Sequence, residues 1–278
     1  MVGRRTARLA CAAVAGVALA AGLAGPAGAA RAGAGVPPSA GSASGGIIST
    51  VAGGDGGPGP ATSVAVSPCG VAWAGGWLYI GDGSMVRRVS AATGALTTVA
   101  GDNTAGPADD GGTAVSSAIS QACGTVLDRA GNLVIAAGLR VLVAATRTGT
   151  FYGRKMTAGD IYTIAGSGGQ GSSGSGGPAR KAKFEILDGV AADRHGNVVF
   201  IDTVSGVVWV AAVKDGTFYG QAMTAGDIYL VAGGGASLGD GGPAASALLS
   251  SPTAVAVSPT GSLLVTDGAD NRLRAVSP

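Results

Sequence analysis

Histidine occurs once in this 278-residue chain, cysteine three times and phenylalanine four times, and charged residues make up only 12%. With His195 as the sole imidazole, a zinc centre built on several histidines is excluded, as is a relay of two histidines. A phrase written twice, at 148–166 and 215–233, holds no catalytic triad, no metal ligand set and no phosphate loop, so its repetition points to architecture. Leu, Glu and Lys do not recur at helical intervals, so helix is excluded almost everywhere. What remains is rich in Gly, with 52 residues, and otherwise dominated by Ala and Val.

The formal charge of +2 belongs to the N-terminus. Arg4, Arg5 and Arg8 precede an apolar run from Leu9 to about Ala24, and Gly25-Pro26 with Ala27-Gly28-Ala29 supplies a break and small residues. This is the three-part pattern of a secretory signal peptide over residues 1–30. Its removal leaves 15 basic against 16 acidic side chains. The expected mature chain is therefore secreted, without a membrane span, and too weakly basic to neutralise nucleic-acid phosphates. Residues 31–46, RAGAGVPPSAGSASGG, hold nothing that can build a core and read as a flexible linker.

The rest of the chain, 47–278, is written as a repeat. ISTVAG (48–53), LTTVAG (96–101), YTIAG (162–166) and YLVAG (229–233) are each followed by a Gly-rich stretch, then two apolar runs around a turn, then a third run. The VAG marks stand 48, 65 and 67 residues apart. The longer intervals come from a phrase written twice, TGTFYGRKMTAGDIYTIAG and DGTFYGQAMTAGDIYLVAG. It reads as a long outer hairpin between third and fourth strands, with Phe151, Tyr152, Phe218 and Tyr219 covering the outer strands. Four-stranded units at this period predict an all-β fold, a β-propeller of four blades. The spare ISTVAG is expected to pair with NRLRAV (271–276) and close the ring; an open arc is the alternative.

The fullest unit, SPTAVAVSPTGSLLVTDGADNRLRAV (251–276), with GDGGPA before it and TVAG elsewhere, resembles the NHL repeat of secreted bacterial β-propellers. The resemblance spans 47–278. It implies the fold and leaves the function open, since such propellers serve binding, signalling and occasional lyase roles. The zinc-dependent lyases among similar propellers use histidine ligands, from which this chain departs.

Asp82, Asp202 and Asp267 end the second strand in three of the four units, with Gly138 at the equivalent place. Two readings apply: a carboxylate ring at one mouth, joined by Arg140, that meets a ligand, or acceptors for backbone N–H groups of their own turns. The Asp-Gly-Gly loops at 55, 110 and 240 carry too few carboxylates for calcium. Cys69 and Cys123 occupy equivalent positions in neighbouring units, where the others have Asp188 and Thr253, and are expected to form a disulfide near the axis. Neither a cofactor nor a metal is expected. The expected role is a monomeric, non-catalytic binding propeller for an extracellular protein, a glycan or a small ligand. The alternative is a lyase or hydrolase working through carboxylates at the propeller mouth.

Overall fold

The computed structural model describes residues 48–54 and 59–278. The expected signal peptide and linker lie outside the described residues. The fold is all-β: four propeller blades follow one another along the chain, and among the described residues the only helical segments are four single 3-10 turns. Blade 1 contains Pro68–Ala74, Trp77–Asp82, Met85–Ser90 and Leu96–Ala100 in that spatial order. Blade 2 contains Ala122–Leu127, Leu133–Ala137, Arg140–Ala144 and Ile161–Ala165. Blade 3 contains Leu187–Ala192, Val198–Asp202, Val207–Ala211 and Asp227–Gly233, with the short Gly177–Pro178 added outside. Among the described residues blade 4 has only Pro252–Val257, Leu263–Asp267 and Arg272–Val276. All strand pairs within the blades are antiparallel.

Burial follows position in the row. The second strands of blades 2 and 3 are buried at every residue, because each of these blades is covered on both faces and its Val, Ile and Ala side chains find partners either way. In blade 4 the second strand alternates between buried and half-buried, as a sheet with one covered face must. The first strands pack blade 1 on 2, 2 on 3 and 3 on 4. Glycine makes these junctions close: a Cβ at Gly70 would collide with the Cys123 carbonyl, and one at Gly124 with that of Asp188. At Gly189 it would stand 3.0 Å from the Thr253 carbonyl. Blade 4 carries Ala254 at this place.

The expected ring closure is not formed. Residues 48–50 belong to no strand, and among the described residues Arg272–Val276 has a neighbour on one side only. The N–H of Gly53 instead donates to the Ala61 carbonyl at 2.9 Å, while Ala52 packs against the cluster of Ala61, Ile80 and Val89. The same bond joins Gly101 to Ala114 and Gly166 to Ala179 where one blade hands over to the next. ISTVAG is therefore fixed to the flank of blade 1, in the position of an outer strand of a preceding blade. Among the described residues the four blades form an open arc.

Candidate binding site

The four first strands line one concave cleft of about 500 Å³. Its walls are Cys69–Ala74, Cys123–Asp128, Asp188–Ala192 and Thr253–Val257. Backbone, small apolar side chains and a few polar groups make up the surface, and no Lys or Arg lines it. Trp73 stands in it 52% exposed, a large aromatic face left uncovered where core residues of its size are buried. The Cys69–Cys123 disulfide crosses one end, tying blade 1 to blade 2 with the two Cα atoms 4.8 Å apart. The equivalence of these two positions in the repeat, and their nearness to the axis, brings the thiols together.

Asp188 holds the same position in blade 3. Burial is the main cause raising its pKa, with the nearby Asp202 charge adding to it, against the opposing hydrogen bond from Thr203. Thr203 Oγ1 donates to its Oδ2 at 2.6 Å. Asp128, the other carboxylate on the wall, is held at the far end of the cleft. It accepts from the backbone N–H of Asn132 at 2.8 Å and from the Asn132 side chain at 3.0 Å. Tyr152 Oη reaches the same carboxylate at 2.9 Å. Sequence reasoning passed over Asp188 and Trp73 as site residues. The only sequence signal for Asp188 was a charged residue at a place where other units carry Cys or Thr.

The three strand-ending carboxylates sit elsewhere, each inside its own blade. Asp202, wholly buried, accepts from the backbone N–H groups of Glu185 at 2.9 Å and Ile186 at 3.2 Å. Ser205 Oγ adds a bond at 3.0 Å. Asp267, equally buried, accepts from Ser250 N–H at 2.6 Å and faces Arg274 at 3.4 Å. Asp82 accepts from Ser67 N–H at 2.5 Å, and Arg87 Nε lies 3.0 Å from its other oxygen, an ion pair without hydrogen-bond alignment. In all three blades the carboxylate ties the segment entering the first strand to the end of the second. Arg140 is half-buried at a separate groove of about 290 Å³ with Pro107, Ser120 and Gly168, and donates to the Ser167 carbonyl at 3.2 Å. The four residues do not line the cleft.

Among the described residues no three His, Cys, Asp or Glu side chains stand together as metal ligands. His195 lies on a turn beside Phe218, its ring centre 5.0 Å from that of the phenylalanine.

No protein-family model matches the sequence, and no curated protein matches it. Solved structures match in fold. A protein of unknown function from Bacteroides thetaiotaomicron aligns with a TM-score of 0.52 at 13% identity, over 73% of this chain and 44% of its own. An auxiliary nutrient binding protein from Bacteroides ovatus aligns with a TM-score of 0.52 at 18% identity, over 77% and 48%. A virginiamycin B lyase from Staphylococcus aureus aligns at 0.44 and 10% identity, over 76% and 53%. The chain thus spans about half the length of the solved structures it matches. The likeness is one of fold, to bacterial β-propeller proteins.

Proposed function

We propose that this chain is a secreted, non-catalytic binding propeller of the NHL-like kind, and that its ligand, a neutral glycan, lies in the cleft between the four first strands. The observation that carries this reading is the half-exposed Trp73 on a concave wall without basic side chains. An aromatic face beside backbone polar groups and a few carboxylates suits a sugar ring, which presents apolar C–H faces and hydroxyl edges. Anionic ligands gain nothing from these walls. The disulfide between Cys69 and Cys123 fits an oxidising compartment outside the cytoplasm, and the nutrient-binding role named for one fold neighbour is compatible with the same assignment.

The test is a titration with neutral hexasaccharides of glucose and of N-acetylglucosamine, followed by tryptophan fluorescence. Trp209 is buried and Trp77 lies off the cleft with Arg88 over its ring, so Trp73 is the tryptophan on the cleft wall. Saturable quenching that disappears in Trp73→Ala supports the assignment; quenching unchanged in that variant contradicts it.

One observation favours a lyase or hydrolase instead: the raised pKa of Asp188 on the cleft wall, the property of a general acid. That reading requires turnover of a sugar that is lost in Asp188→Asn.

A further inference from the structure

Blade 2 departs from the other three at one structural position. The residue that pairs with the start of the first strand is Asp82 in blade 1, Asp202 in blade 3 and Asp267 in blade 4, opposite Pro68, Leu187 and Pro252. In blade 2 it is Ala137, opposite Ala122. The counterpart of the strand-ending carboxylates is therefore Ala137 and not the Gly138 read from the sequence. A second replacement lies beside it. Arg87 and Arg274 stand against the carboxylates of blades 1 and 4 at 3.0 and 3.4 Å, and the residue at their place on the third strand of blade 2 is Leu142. Ala137 and Leu142 both line the groove of about 290 Å³. The groove thus lies where two other blades carry an Asp–Arg pair.

The donor that serves the carboxylate elsewhere is kept. In blade 4 the N–H of Ser250, two residues before Pro252, donates to Asp267 at 2.6 Å. In blade 3 the N–H of Glu185, two residues before Leu187, donates to Asp202 at 2.9 Å. The same place in blade 2 belongs to Ser120, which lines the groove. The backbone beside it has the shape found in blade 4: Gln121 lies at φ 45° and Ser251 at φ 51°, each directly before the first strand. Among the described residues the Ser120 N–H finds no protein acceptor, and its hydroxyl donates to the Gly106 carbonyl at 3.1 Å. A guanidinium is present too, from a different residue. Arg140 pairs across from Ala137 and shares a sheet face with Leu142 two residues on. It is the one charged side chain lining the groove. Gly168 leaves room for it, since a Cβ there would collide with the guanidinium.

We propose that this groove binds a small organic monocarboxylate, whose carboxylate takes the place that Asp82, Asp202 and Asp267 fill from the chain in the other blades. Ser120 N–H donates to it, and Arg140 supplies the charge-assisted contact that Arg87 and Arg274 make elsewhere. Ala137, Leu142 and Pro107 give the rest of the molecule apolar surface. One cation balances one negative charge; a second carboxylate on the ligand would meet only backbone and apolar walls. An acidic sugar and an acylated amino acid share this group. The site is separate from the cleft of the first strands and stands whether or not a neutral glycan binds there.

The test follows the Ser120 amide of the isotope-labelled protein by NMR. Sodium acetate, sodium glucuronate and sodium N-acetylglycinate are titrated at constant ionic strength, with sodium chloride as the control. The expected result is a saturable shift of that amide with at least one carboxylate and none with chloride. The glucuronate and N-acetylglycinate arms distinguish an acidic sugar from an acylated amino acid. Arg140→Ala should weaken the binding by about tenfold or more and keep the fold. Ala137→Asp supplies the carboxylate from the chain itself, so its Ser120 amide should be shifted without ligand and respond to none of the three. Should Ala137→Asp not fold, Arg140→Ala decides alone. No saturable shift with any carboxylate, a response equal to that with chloride, unchanged affinity in Arg140→Ala, or a response that persists in Ala137→Asp overturns the proposal.

Discussion

Tyr152 Oη donates to Asp128 Oδ2 across 24 residues of sequence at 2.9 Å, and Tyr219 repeats the bond to Asp193 at 3.1 Å. These tyrosines head the two-residue turns of the outer hairpins Gly149–Phe151 with Arg154–Met156 and Gly216–Phe218 with Gln221–Met223. They sit in the left-handed region at φ 52° and 51°, each followed by a glycine at positive φ, the backbone that a tight hairpin turn requires. A left-handed tyrosine is strained, and its hydroxyl offsets the strain by locking onto the Asp-Arg-x-Gly-Asn turn of its own blade. The repeated phrase is thus a strap from outer hairpin to inner turn.

Replacing either hydroxyl tests the strap. Tyr152→Phe or Tyr219→Phe should lower stability by about 1.5–3 kcal/mol in urea unfolding, the range for a bond to a charged group. Burial first, then the facing aspartate, raises both phenols well above the ordinary value of 10.0. The folded state therefore binds these protons more tightly than the unfolded state. That contribution is whole below the unfolded pKa of about 10 and is lost as pH rises through the folded values. Stability should decline above about pH 10, and the double Phe variant should decline less.

Asp202 and Arg140 should behave oppositely. Asp202→Ala leaves the Glu185 and Ile186 N–H groups without their acceptor in a buried site, and should cost about 3 kcal/mol or more. Arg140→Ala removes a half-exposed side chain with one bond at 3.2 Å and should stay within about 0.5 kcal/mol of the parent. Chemical denaturation of both variants reads the difference.

Asp188 gives a second pH signature. Its folded pKa is raised, chiefly by burial, so the folded state favours the protonated form. Its contribution is present below the unfolded carboxylate pKa and lost as pH rises through the folded value. Asp188→Asn should therefore be more stable than the parent at pH 7 and show no such gain at pH 3. Equal effects at both pH values would remove the burial explanation.

Reduction of Cys69–Cys123 should destabilise the arc by about 4 kcal/mol, the entropic value for a loop of this length. Peptide mass spectrometry without reductant should find the two peptides joined, and thermal unfolding with and without reductant gives the size.

Much of the fold was legible because the repeat states it outright: the VAG ending, the glycine turns and the strand-ending Asp recur in nearly every unit, and each recurrence reports one local requirement of a blade. Ring closure was not legible in the same way. ISTVAG carries the motif of a fourth strand, but motif fixes only what pairs, and the Gly53–Ala61 bond decides where the segment lies. The site was harder still. Asp82, Asp202 and Asp267 stood out by recurring, and recurrence is what a scaffold residue shows; their side chains turned out to be filled by their own blades. Trp73 and Asp188 break the repeat, and a charge where other units carry Cys or Thr was the one mark that Asp188 left.

Hydrogen exchange mass spectrometry of the full chain, with and without a saturating neutral hexasaccharide of N-acetylglucosamine or glucose, tests the cleft assignment most directly. The account predicts slowed exchange confined to the four first strands, at residues 69–74, 123–128, 188–192 and 253–257. Slowing confined to the groove around Arg140, or none with either sugar, would contradict it.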